Sequence, residues 1–273
     1  MRYVKGGNLV ELTKRKDIRI DRIGEENLSG KSDLMRIIEY YNSDNIVIQF
    51  QDKYKAKVHT SYKNFKKGGV RNPYCVSVRG VGIVGVKYPT SLDNKRLKEY
   101  ITWDNVLYRC FDKDYKKVQP TYKESTVCDK WLLYENFYEW LHSQENFNKW
   151  LNGDRWALDK DILIKGNKIY SPDTCCLIPQ RINNLFTKQD CKRGDLPIGV
   201  RRRNNKFRVS CNNMLLGKLV NIGTYETIEQ AFQAYKTYKE SYIKQVAQEE
   251  YSLGNITKKC YDAMMSYKVE ITD

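Results

Sequence analysis

The chain has 273 residues, of which 41% are hydrophobic and 30% charged. That is enough apolar material for two or three cores and too much for a largely disordered chain. Its 48 Lys and Arg outweigh 33 Asp and Glu, and the formal net charge of +15 favours a polyanionic partner, nucleic acid first and an anionic membrane surface second. No apolar run approaches the ~20 residues that span a bilayer, and Met1-Arg-Tyr-Val-Lys-Gly-Gly7 carries no apolar signal core. No membrane partner is expected, and the reading places the chain in the cytoplasm. Eight cysteines without a C-x-x-C pair read as reduced thiols, and only His59 and His142 are present to serve as histidine ligands or bases.

Residues 1–17 are polar and basic and read as an arm or an edge strand. Residues 18–88 read as all-β. Leu34–Tyr41 is rich in apolar residues, and Asn45–Phe50 alternates Ile46, Ile48 and Phe50 on one face. A third strand is expected at Tyr54–Val58, with turns at Asn42-Ser-Asp44, Lys66-Lys-Gly-Gly69 and Asn72-Pro73. The spacing predicts a small barrel or curled sheet within an N-terminal module, residues 1–88. Its Lys55, Lys57, Lys63, Lys66, Lys67 and Arg71 are suited to tracking phosphates.

Residues 89–102 read as a linker. Helices are expected over 103–150, one carrying Trp103, Val106, Leu107 and Cys110, the next running from Asp129 with Leu133, Phe137, Trp140 and Leu141 on its apolar face. Residues 156–187 read as two short strands and the start of a helix. Three strands follow, at Ile198–Arg203, Lys206–Ser210 and Gly217–Gly223. Thr227-Ile-Glu-Gln230 then opens a helix with a capping-box pattern, and Ile228, Phe232, Tyr235, Tyr242 and Val246 share one of its faces. The fold class is therefore α+β. It comprises an N-terminal β module, a central helical plus ββα unit over 103–190, a three-stranded sheet packed on one helix over 191–250, and a helical tail over 251–273.

Between Lys192 and Lys218 stand eight basic residues and a single acid, Asp195. Arg201 and Arg203 alternate with Arg202 and so share one face of a strand, while Arg208 and Ser210 lie two apart on the next. A helix must cover one face of this sheet, which crowds the arginines onto the other. A β-ribbon of that kind enters the DNA major groove, where Arg pairs with guanine. The candidate DNA-binding set is Arg201, Arg202, Arg203, Lys206, Arg208 and Lys218. Pro197-Ile-Gly-Val200, the basic strands, Asn221-Ile-Gly-Thr-Tyr225, Ala231 and Ala234-Tyr235 resemble the ethylene-response-factor (Apetala-type) DNA-binding domain over roughly residues 195–248. The resemblance implies that the sheet, not the helix, meets double-stranded DNA.

The middle of the chain, with Trp103, Arg109-Cys110, Val127-Cys-Asp-Lys-Trp131, Leu158-Asp-Lys-Asp161 and Tyr170-Ser-Pro-Asp-Thr-Cys175, resembles phage HNH homing-endonuclease-like proteins. That resemblance implies a ββα-metal unit working inside a host cell and hydrolysing DNA with one divalent ion, Mg2+. By position, Asp159 matches the metal-binding Asp and Lys160 falls in the general-base slot. Thr174 takes the place of the turn Asn, and Asn183 or Asn184 matches the helix ligand. An ordinary Lys is protonated near neutrality and cannot take a proton from water, so Lys160 departs from the pattern. Two readings stay open: an HNH-type endonuclease using Asp159 and Lys160, or a non-catalytic factor that binds DNA or a protein partner on an HNH-like frame. Cys110, Cys128, Cys175 and Cys176 lack the paired spacing of a structural Zn2+ site and read as core thiols.

Overall fold

The computed structural model describes residues 22–187 and 195–273, with the backbone of two short paired strands, β1 (Val4–Lys5) and β2 (Asn8–Leu9). Beyond that pairing, the arm read at 1–17 lies outside the described residues. The architecture is α+β, and the chain divides into two units, residues 1–75 and 76–273. Among the described residues no helix is long and apolar enough to cross a membrane.

In the first unit, β3 (Glu26–Leu28), β4 (Leu34–Asn42), β5 (Asn45–Phe50) and β6 (Lys57–Thr60) form one antiparallel sheet in that order. Alternation puts Met35 and Ile37 with Ile46, Ile48 and Phe50 in a single core. The strand expected at 54–58 starts later, because Asp52 Oδ1 accepts the N–H groups of Tyr54 and Lys55, both at 3.0 Å, and holds a turn there. Within the segment read as all-β lies helix α1 (Tyr62–Lys66), capped by Ser61 and burying Phe65. At five residues it is too short to show a helical period.

The second unit opens with β7 (Val76–Val78) and β8 (Gly82–Ile83), then β9 (Ser91–Leu92), β10 (Lys95–Arg96), α2 (Lys98–Phe111) and α3 (Lys113–Val118). Residues 76–88 thus leave the N-terminal module in which the sequence reading placed them. Val78, Val81, Val84 and Tyr88 pack on the core of Trp103 and Leu107, and Glu135 Oε1 accepts the N–H groups of Val86 and Lys87 at 2.8 Å. The segment read as a linker, 89–102, is ordered. It contains the β9–β10 hairpin, turned by Asp93 and Asn94 at positive φ, and the first turn of α2. The polar Lys98-Glu99 start of α2 has tertiary partners. Lys98 Nζ donates to the carbonyls of Trp150 and, at 3.0 Å, Gly153, at the end of α5 (Phe147–Asn152).

After β11 (Thr126–Val127) a single 3₁₀ turn covers Asp129–Leu132, and α4 (Tyr134–His142) carries Phe137 and Leu141 inward. The ββα element follows: β12 (Trp156–Asp159), then β13 (Ile169–Tyr170) paired with β11, then β14 (Cys176–Pro179) antiparallel to β12, then α6 (Gln180–Leu185). Every residue of β14 is buried. Leu158 and Leu177 join Trp103, Trp131, Phe137 and Trp150 in one core. Cys176 and Ile178 join a second core with Ile182 of α6.

That second core continues into β15 (Val200–Arg203), β16 (Lys206–Asn213) and β17 (Lys218–Tyr225), a sheet in that order, and into α7 (Ile228–Ser252) and α8 (Lys258–Ser266). Thr227 caps α7 by accepting the N–H of Gln230 at 3.3 Å. Ala231, Tyr235, Tyr242 and Val246 then bury one face against Val209 and Cys211, each large side chain adding about 1.5–3 kcal/mol. The segments read as separate units at 103–190 and 191–250 are joined by this shared core.

Candidate nucleic-acid interface

The register of the last sheet sorts the basic residues by face. Directly opposite residues of antiparallel strands share a face. Arg201 is opposite Arg208 and Arg203 opposite Lys206, while Val200 is opposite Val209 and Arg202 opposite Phe207. Val209 is fully buried under α7, so Arg201, Arg203, Lys206 and Arg208 stand on the outer face. On β17 the same face carries Leu219, Asn221 and Thr224, opposite Asn212, Ser210 and Arg208. An irregularity in register at Val209/Ser210, with Ile222 as the extra residue of β17, keeps Asn221 and Thr224 on one side.

Two residues of the predicted set fall elsewhere. Arg202 lies on the helix side, its guanidinium 5.4 Å from the centroid of the Phe207 ring. Lys218 is opposite the buried Asn213, so the register puts it on the helix side as well. On the outer face Lys206 is paired with Glu226, and Arg208 Nε donates to Asn221 Oδ1 at 3.0 Å. Arg201 and Arg203 are exposed.

The ββα residues are arranged differently from what metal chemistry requires. Asp159 is only 8% exposed, and its Oδ1 accepts the N–H groups of Asp161 at 3.0 Å and Ile162 at 2.7 Å. It is the side chain that turns the chain out of β12. Burial, reinforced by the negative charge of Asp161, pushes its carboxyl up to about 6 against the pull of those two N–H groups. Lys160 is equally buried. Its Nζ donates to the carbonyl of Asn167 at 3.1 Å and to Asp161 at 3.3 Å, and Asn167 Nδ2 donates back to the carbonyl of Lys160 at 2.6 Å. The loop closes on itself.

Asn183 and Asn184 ride on α6, which follows Pro179, the residue opposite Trp156 at the other end of the hairpin from Asp159. Asn184 lines a cleft with Asp154, Arg155 and Trp156 and accepts from Gln180 at 3.0 Å. Among the described residues no hydrogen bond joins Asp159 to either asparagine, and no group of three or more His, Cys, Asp or Glu could hold a metal. A buried carboxyl whose charged form is penalised by burial and whose oxygen already serves a turn does not fit Mg2+, which needs charged oxygens and several waters. Burial raises Cys110 to about 11 and Cys175 to about 12. His142 stacks on Tyr138 and lies 3.4 Å from Glu99, apart from the ββα loop.

Two features escape the sequence reading. Arg181 of α6 makes a bidentate pair, 2.6 and 2.8 Å, with Glu250 of α7, whose side chain is almost wholly buried. Lys239 occupies the inward face of α7, four residues after Tyr235 and three before Tyr242, and donates to the carbonyl of Leu185 at 2.9 Å. A lysine in phase with an apolar stripe was the available signal for it. No family model, no characterised protein and no solved structure matches the chain significantly.

Proposed function

We propose that this protein binds double-stranded DNA through the outer face of the β15–β17 sheet and does not cleave it. One observation carries the reading: Arg201 faces Arg208 and Arg203 faces Lys206 across adjacent strands on a solvent-exposed face. Like charges placed directly opposite one another destabilise a sheet, and a polyanion relieves that cost. The resemblance to the ethylene-response-factor domain supports the same face, and the net charge of +15 supports the same class of partner. The HNH-like hairpin acts in this reading as a structural frame, because both of its faces are covered by hydrophobic cores and Asp159 is engaged in its turn.

The test is duplex binding measured over a salt series, with supercoiled plasmid incubated in Mg2+ and in EDTA alongside. Arg201→Ala with Arg203→Ala should weaken binding and flatten log K against log salt by about 1.8, two phosphate contacts' worth. Plasmid should stay supercoiled in both buffers. Unchanged duplex affinity in the double variant removes the sheet as the interface and turns attention to a protein partner. Mg2+-dependent nicking that disappears in Asp159→Ala restores the enzyme reading.

A further inference from the structure

A cavity of about 540 Å³ lies between α6, α7 and the part of β16 that runs past the end of β15. It exists because β15 stops at Val200, opposite Val209, whereas β16 continues to Asn213. Arg201, Arg202, Ser210, Asn212, Asn184 and Lys239 supply its polar wall, and Tyr235, Tyr242, Ile198 and Met214 its apolar one. Its size is within the ~300–1,000 Å³ of small-molecule sites.

The electrostatics are one-sided. Among the described residues that line the cavity there is no carboxylate, and the charged side chains are Arg181, Arg201, Arg202 and Lys239. Arg181 is neutralised by Glu250. Lys239 uses one N–H on the carbonyl of Leu185 and stands 5.6 Å from the centroid of the Tyr242 ring. Burial lowers its pKa, the mark of an ammonium group short of compensating charge. An anion entering the cavity would supply that charge, and its volume and half-apolar walls leave room for more than a bare ion.

We propose that this cavity binds a nucleotide, with Lys239 holding its phosphate, Ser210 and Asn212 hydrogen-bonding to it, and the apolar wall of Ile198, Met214 and Leu219 taking the base. The site adjoins the proposed duplex interface: Lys239 reaches it from the helix side of the sheet, and Arg201, Ser210 and Asn212 reach it from the outer face. Arg203 and Arg208 do not line it, and Arg201, Ser210 and Asn212 are left intact in the test. The nucleotide is either free or the phosphorylated end of a strand.

The experiment is calorimetry on the full chain with adenosine monophosphate, adenosine and inorganic phosphate. Adenosine monophosphate should bind, adenosine should not, and Lys239→Met should lower the affinity about tenfold or more. Lys239→Arg should recover part of it. The wild-type protein supplies an independent reading: adenosine monophosphate should slow modification of Lys239 by an amine-reactive reagent, followed by peptide mass. Competition by a 5′-phosphorylated oligonucleotide that exceeds its dephosphorylated form assigns the site to strand ends, and equal competition by the mononucleotide assigns it to free nucleotide. Equal binding of adenosine and adenosine monophosphate, no binding at millimolar concentration, or unprotected Lys239 overturns the proposal. Arg203→Ala with Arg208→Ala should lose duplex binding and keep the mononucleotide, so each reading can fail alone.

Discussion

Asp159→Asn separates a structural carboxylate from a catalytic one. In the folded chain this carboxyl titrates near 6, because it is buried and faces the charge of Asp161; its ordinary value is 3.8. A carboxylate raised by folding costs stability where it is ionised. The cost is absent below the ordinary value, grows as pH rises from about 4 through 6, and is constant above that. The displacement corresponds to about 3 kcal/mol at pH 7.5 and to about half of that at pH 5. Asparagine removes the charge and keeps an Oδ1 that accepts from Asp161 and Ile162, a role in which Asn and Asp serve about equally. Urea denaturation at the two pH values should therefore show Asp159→Asn more stable than wild type, by up to about 3 kcal/mol at pH 7.5 and by roughly half that at pH 5. Asp159→Ala should be less stable than Asp159→Asn at both, since it leaves two N–H groups unpaired, the buried one of Ile162 among them, at about 1–3 kcal/mol. An Asn variant that is destabilised, or whose effect does not change with pH, refutes the account.

Further outcomes follow from the shared core. Arg181→Met should cost about 2–3 kcal/mol in urea denaturation, since it leaves the buried Glu250 carboxylate with Asn255, at 2.8 Å, as its remaining hydrogen-bonding side chain. Gly199→Ala should lower the melting temperature sharply, by the equivalent of about 3 kcal/mol or more. Gly199 has φ +77° and its Cβ would fall 2.1 Å from the Tyr235 ring, so backbone strain and a clash add.

How much of this was legible depended on how local the cause was. The alternation of Ile46, Ile48 and Phe50, the capping of α7 by Thr227 and the common face of Arg201 and Arg203 are set within a few residues, and all three are present. Lys218 was misplaced because its face depends on pairing with Asn213 across a four-residue turn, which periodicity does not encode. Residues 76–102 looked like module end and linker because their partners lie far along the chain: Val78 and Val84 pack on the core that holds Trp103 and Phe137, and Lys98 meets the end of α5. Asp159 and Lys160 matched a motif by spacing, yet an Asp that ends a strand serves a turn as readily as an ion, and only the three-dimensional partners distinguish the two.

The basic sheet carries a conflict between stability and binding that can be measured. Its back is anchored by Val209, Cys211 and Tyr235 in a core shared with the ββα hairpin, so the strands hold their register although Arg201 is set against Arg208. Threonine suits an exposed strand and removes one member of that like-charged pair. Arg201→Thr should raise stability by about 0.2–1 kcal/mol at low salt, and the gain should shrink as salt screens the pair. The same variant should bind duplex more weakly, with a salt slope smaller by about 0.9. Opposite signs in the two assays, both fading with salt, are the signature of cations kept for a polyanion. Loss of stability on removing Arg201, or a gain that salt does not diminish, would mean that the arginine is held in place by the fold itself, and the outer face would lose its claim to be an interface.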